Sequence, residues 1–300
     1  MTTATTPQFL DLKALATLQH MRFATRHRIE GSYSGRHRSR QQGGAGEFVD
    51  FRQYTPGEDL RRLDWKVLAR TGRTYLRLYQ DETNLLCTLA IDASGSMRFG
   101  QSSRGGSKLQ YAQYLATALS HVIQRGQDQV GVAVLAAELT GFLAPGGSRV
   151  HAARVQEIIE QIEPRPTVHM AAALRELFQR TARRGVLLLI SDFLMEDLEE
   201  VFAAVRLFRH RQSEVILLHL IHPDEERLPE GAAFRFDGLE NEGMVDCSPA
   251  EIRAAYEQRF AAHLASVRTF ALADGCDYRR ASTATPYLQT LGQFLVERAG

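Results

Sequence analysis

Cysteine is scarce. Cys87, Cys247 and Cys276 are the three in 300 residues. No C-x-x-C pair occurs and no histidine stands at zinc-finger spacing, which argues against a disulfide framework or a thiolate metal site. Long apolar runs are missing as well. Leu85–Ile91, Val130–Ala137, Val186–Ile190 and Val215–Ile221 are the longest, far short of the ~18 residues a membrane-spanning helix needs. The opening MTTATTPQFLDLK has no basic stretch leading into an apolar core, so no secretory leader is expected. With few thiols and no leader, the cytoplasm is the expected compartment. There is no P-loop, no G-x-G-x-x-G and no G-x-S-x-G, which removes the commonest nucleotide and acyl-transfer signatures. Tryptophan occurs once, at Trp65, and net charge is nearly absent at +1.

What is present is an ordinary globular composition, 44% hydrophobic and 24% charged, enough apolar surface to exclude a disordered chain. The small net charge conceals an uneven split. Residues 1–80 carry 14 Lys and Arg against 7 Asp and Glu, and the remainder reverses the balance. Arg22, Arg26, Arg28, Arg36, Arg38 and Arg40 gather there with few aromatics nearby. Nucleic-acid binding, which calls for interleaved stacking rings or a docking helix, is not expected. Arg61, Arg62, Asp64, Lys66 and Arg70 mix their signs. An ion-pair network locking the front segment onto the rest is the plainer expectation, with Trp65 as a buried anchor and Phe48, Phe51 and Tyr54 packed nearby.

After residue 84 short apolar runs alternate with stretches of helical period: Lys108–Arg125, Val150–Ile162, Met170–Thr181 and Leu198–His210. Continuous Val/Leu/Ile runs suit strands buried on both faces. Alternation with helices predicts an α/β fold, a doubly wound, mostly parallel sheet. Glu138–Leu143 follows closely enough to return as an antiparallel edge strand. Asp197 with Glu200, and Ser248-Pro249 with Glu251, read as helix-start boxes. Phe9–His27 has the spacing of an amphipathic helix. Phe234–Phe236 and Gly243–Cys247 read as a hairpin around Asn241-Glu242, and Thr285-Pro286 opens a last helix. The expected division is 1–84, a basic segment; 85–224, the sheet domain; and 225–300, a hairpin and helices packed on it.

Leu85–Ile91 runs directly into Asp92-Ala93-Ser94-Gly95-Ser96, and Val186–Ile190 into Ser191-Asp192. In an open parallel sheet, sites lie at the carboxyl ends of strands where the strand order reverses. Two carboxylates and two hydroxyls there, joined by Thr167 before a later helix, form an oxygen-only donor set suited to a hard cation such as Mg²⁺. The bland alternative is a polar turn capping a strand-to-helix junction. His169, beside Thr167, reads as a surface histidine, and His219 and His222 as core or rim residues.

These residues resemble the metal-ion-dependent adhesion site (MIDAS) of von Willebrand factor type A domains, D-x-S-x-S followed by a Thr and an Asp on later loops. The resemblance implies Mg²⁺ or Mn²⁺ held by the hydroxyls of Ser94, Ser96 and Thr167, with Asp92 and Asp192 acting mostly through water. A partner's acidic residue would complete the sphere. The loop Arg165-Pro166-Thr167-Val168-His169 lacks the glycines often found before that Thr. The stretch from Glu47 to Lys66, with Ala69-Arg70-Thr71, Asp224–Pro229 and Ala281–Leu291, resembles the bacterial domain-of-unknown-function family 58. That likeness implies a type A domain working with a MoxR-type AAA+ ATPase on a client protein, and the short form of the family without membrane helices. The function expected is a non-enzymatic, Mg²⁺-dependent interaction module. The alternative is a Mg²⁺-dependent hydrolase using the same oxygens.

Overall fold

The computed structural model describes residues 8–25, 37–38, 47–55, 63–80, 82–83, 85–100, 106–166, 169–181, 184–195, 197–231 and 233–299. Arg26, Arg28, Arg36, Arg40, Arg61, Arg62 and Thr167 lie outside them. Contacts gather into two units, Thr25–Leu85 and the rest of the chain. Residues 8–24 thus group with the large sheet rather than with the segment expected over 1–84.

In that opening stretch the amphipathic helix expected over Phe9–His27 shrinks to α1 (Leu12–Leu15) and one 3-10 turn, Ala16–Leu18. The Arg125 guanidinium donates to the Leu18 and Met21 carbonyls at 2.9 and 2.7 Å. A tertiary partner has taken acceptors that a longer helix would use, and Phe9 and Phe23 pack on Tyr114 and Phe294.

The smaller unit pairs β1 (His37–Arg38) with β4 (Glu82–Thr83), and β2 (Glu47–Gln53) with β3 (Tyr75–Gln80), both antiparallel. Between them α2 (Trp65–Thr71) starts on the Asp64 carboxylate, which accepts from the Lys66 and Val67 N–H groups, and stops at Gly72 in the left-handed region. Trp65 is 62% exposed. It is not the buried anchor expected, and it takes the first position of a short helix. The side chains of Phe48 and Phe51 lie outside the described residues, and Tyr54 is half-buried.

The larger unit is built on β5 (Leu86–Asp92), β6 (Gln129–Leu135), β7 (Leu139–Gly146), β8 (Val186–Ser191), β9 (Glu214–Ile221) and β12 (Asp277–Ser282), in the order β12-β9-β8-β5-β6-β7. All neighbours are parallel except β6 and β7, the expected edge hairpin. β10 (Phe234–Asp237) and β11 (Met244–Cys247) form the separate hairpin. Strands β8 and β9 are buried along their whole length, which is why they read as unbroken apolar runs.

Helices α3 (Lys108–Arg125) and α4 (Arg149–Glu160) pack together, as do α5 (Met170–Arg180) and α6 (Leu198–His210). Leu174, Leu177, Phe202 and Val205 of α5 and α6 share one core with Ala90, Leu189 and Leu217 of the sheet. After the short α7 (Pro223–Glu226) come α8 (Pro249–Ala273) against α6 and β12, and α9 (Tyr287–Ala299) against α3. Two start boxes do not form. Neither Asp197 nor Ser248 makes a side-chain cap bond; Glu200 instead reaches Arg175 across the α5–α6 pair at 3.6 Å. Among the described residues no helix is long and apolar enough to cross a membrane.

Candidate metal centre

Strand order reverses between β5 and β8, and the register pairs Ile91 with Ile190. Both strands therefore end at one level, and Asp92 and Asp192 emerge side by side at the switch point. Asp92 is 0% exposed and Asp192 1%. The Ser94 N–H donates to Asp92 Oδ1 at 2.8 Å, and the Ser191 hydroxyl to Asp92 Oδ2 at 2.5 Å. Ser94 Oγ and Ser96 Oγ are 2.9 Å apart. An octahedral ion with bonds of about 2.0–2.1 Å sets adjacent ligands about 2.9 Å apart, so the two hydroxyls fit neighbouring positions on Mg²⁺. A parallel bridge joins Ser94 to Arg165, whose N–H donates to the Ala93 carbonyl at 2.7 Å. Thr167, two residues on, lies outside the described residues. His169 is exposed, while His219 and His222 are buried.

One member of the site was not expected. Lys108, the first residue of α3, is fully buried and donates to Asp192 Oδ2 at 2.5 Å and to Glu225 Oε1. Its neighbour Ser107 closes a capping box with Gln110, which fixes where the helix begins. Glu225 is held in turn by a cap on α7: its Oε2 accepts from the His222 N–H at 2.8 Å. A lysine in the first turn of a helix opposes the macrodipole, and that misfit was the available signal in the sequence. Glu240, from the β10–β11 turn, was missed too; its Oε1 accepts from the Ser96 N–H at 3.0 Å.

Burial raises Asp92, and the facing Asp192 charge adds to it; together they overcome the Ser191 and Ser94 hydrogen bonds and push the carboxyl up to about 7. Asp192 goes the other way. Burial alone would raise it, but the Lys108 charge and the hydrogen bonds from Lys108, Leu194 and Ser96 hold it below the usual carboxylate range. Burial raises Glu240, with Asp192 contributing. Negative charge in excess of one ammonium thus converges on the Ser94–Ser96 hydroxyls, the electrostatic setting a divalent cation relieves. Among the described residues no group of three or more His, Cys, Asp or Glu could hold a metal. The hydroxyls would have to carry the coordination.

A raised acid destabilises the fold once it ionises. Its favourable contribution is complete below the unfolded value near 3.8 and is lost as pH rises through about 7. In EDTA, wild-type stability should therefore fall across that interval relative to Asp92→Asn. Parallel pH profiles in urea titrations of the two proteins would remove the buried, ionising Asp92 from the account.

Residues 50–266 match the family described as "Protein of unknown function DUF58". The chain belongs to the DUF58 family. It is 28% identical over 301 residues to the "Uncharacterized protein Rv1480" of Mycobacterium tuberculosis and, to the same degree, to "Uncharacterized protein Mb1516" of Mycobacterium bovis, covering 96% of this chain and 90% of each relative. Among solved structures it is similar to BatB from Bacteroides thetaiotaomicron, at 16% identity and TM-score 0.44 over 71% of this chain and 98% of that one. The SpRpn10 VWA domain matches at 10% identity and TM-score 0.40, over 70% and 95%. The DUF58 match spans both units: it begins in β2 and ends within α8, so β5, β8 and both aspartates fall inside it.

Proposed function

We propose that this DUF58 chain is a non-enzymatic protein-interaction module whose sheet-end site holds Mg²⁺ or Mn²⁺. Ser94 and Ser96 would ligate through hydroxyls, Asp92 and Asp192 through bound water, and Thr167 would supply the fifth oxygen. The observation that carries the reading is the pair of hydroxyls 2.9 Å apart between two buried carboxylates at the switch point. A client's acidic side chain would be captured at the open face, and a MoxR-type AAA+ ATPase is the proposed working partner. The cytoplasm is the proposed compartment.

One divalent ion should bind per chain, Mg²⁺ or Mn²⁺ ahead of Ca²⁺, because a hydroxyl-rich set with few direct carboxylates is poor for an ion that favours six to eight charged oxygens. Calorimetry on the wild type and Asp92→Ala measures this. Loss of the signal in the variant supports the site; absence of binding by the wild type, alone and in a pull-down that is insensitive to EDTA, overturns it.

One observation favours the hydrolase. A carboxyl brought to about 7 has the poise of a general base. Yet both Asp92 oxygens are engaged by Ser94 and Ser191, and the group is fully buried. Phosphoester and ester turnover that requires Asp92 would make the hydrolase the better reading.

A further inference from the structure

The mouth of the site is flanked from within the same unit by a turn whose Glu240 shares a cavity of about 470 Å³ with Ser94. The β10–β11 hairpin pairs over only four residues on each strand, and its turn, Gly238–Gly243, lies against the D-x-S-x-S loop. A side chain at Gly95 would meet the Leu239 carbonyl oxygen at 2.1 Å and Glu240 Cγ at 2.9 Å. Only a glycine there lets the turn come this close. The approach delivers the Glu240 carboxylate to the Ser96 N–H, beside the hydroxyl that faces Ser94. The Glu240 N–H donates to Glu242 Oε2 at 2.8 Å, and the Gly238 N–H to the Gly243 carbonyl at 2.7 Å, so the turn is preformed. The strands behind it are not held by the core. Met244 and Val245 are exposed, as are most of their neighbours. A lone two-stranded hairpin is marginal in water, so this one can leave at little cost.

We propose that the hairpin is a displaceable plug, and that Glu240 is the site's own acidic occupant, standing where a partner's carboxylate would enter. The inference rests on the metal-site reading above and adds its regulation: in the resting chain Glu240 holds the partner's position, and a partner must exchange its acid for Glu240. Gly95 then has a second role besides its place in the motif, as the seat of the turn.

The test uses the full chain and Mn²⁺ alone, reading solvent-water proton relaxation per bound ion. In wild type the plug limits the exchanging waters. Glu240→Ala should raise the relaxation by about 1.5-fold, the change expected when an ion that keeps two waters gains a third. Gly95→Ala, which keeps the Glu240 carboxylate in the chain but pushes its turn away, should raise it in the same direction. Hydrogen exchange over residues 234–247 should quicken in Gly95→Ala. The proposal stands only if relaxation rises in both variants. Unchanged relaxation in either, with Mn²⁺ still bound, overturns the plug and leaves the metal site in place. No Mn²⁺ bound by any of the three proteins overturns both.

Discussion

Lys108→Met should lower the stability of the metal-free protein by about 3–5 kcal/mol, the range for removing one partner from a buried ion pair. The ammonium is fully buried between Asp192 and Glu225, with Phe99 5.7 Å away on another side. Methionine fills the volume but leaves two enclosed carboxylates facing one another and Asp92. The two aspartates consequently stop being equivalent. Asp192 is tied to an internal cation, and replacing it costs that bond, although Lys108 retains Glu225. Asp92, already raised by burial and by Asp192, can become asparagine with stability level or improved. The sign with pH follows. Asp192 is depressed, so its contribution is present above the ordinary carboxylate value and lost as pH falls. The gap between wild type and Lys108→Met should narrow on acidification. Mg²⁺ should recover part of the deficit, since a ligand at ~100 times its Kd adds about 2.7 kcal/mol to the state that binds it. Urea titrations in EDTA and in Mg²⁺ measure both effects. A variant within about 1 kcal/mol of wild type in EDTA would mean that Lys108 is a spectator.

Arg298→Met should be comparably damaging at the far edge of the sheet, again by about 3–5 kcal/mol. From the end of α9 its guanidinium donates to Glu214 Oε1 at 2.6 Å, to Asp277 Oδ2 at 2.8 Å and to the Ala24 carbonyl at 2.8 Å. The side chain is fully buried. Glu214 opens β9 and Asp277 opens β12, so one cation closes the pairing of two parallel strands and ties the opening segment to them. Replacing it takes the buried cation away from both carboxylates, although Asp277 keeps Arg279 at 3.0 Å. Adding Glu214→Gln and Asp277→Asn to Arg298→Met should recover part of the loss, because uncharged amides can be buried more cheaply than anions that have lost a buried cation. If the triple variant is no more stable than the single one, the damage lies in packing against Phe23 and Phe294 rather than in charge.

The strands β5 to β9 and the four helices α3 to α6 were legible because their signals are local, whereas β12 at the sheet edge was not expected. Unbroken runs such as Val186–Ile190 mark burial on both faces, and the 3.6-residue period marks one buried stripe. Motif plus strand end also placed Asp92, Ser94, Ser96 and Asp192 at one point, since strands in a parallel sheet finish at a common edge. The opening helix failed because Arg125, more than a hundred residues away, takes the Leu18 and Met21 carbonyls. The caps expected at Asp197 and Ser248 failed because box-forming residues were present without the geometry.

By itself the sequence determined the α/β class, the succession of elements from β5 to β9 and the carboxylates at the sheet end, all properties of neighbouring residues and their period. Only the tertiary structure decided which charges meet. Lys108 finds Asp192 across 84 residues and Glu225 across 117, Glu240 reaches Ser96 across 144, and Trp65 remains in solvent. A charged side chain carries no period that names its partner. Which one it reaches is settled by where the crossovers bring the strand ends and loops, and a buried charge then has to be paired wherever the fold has put it.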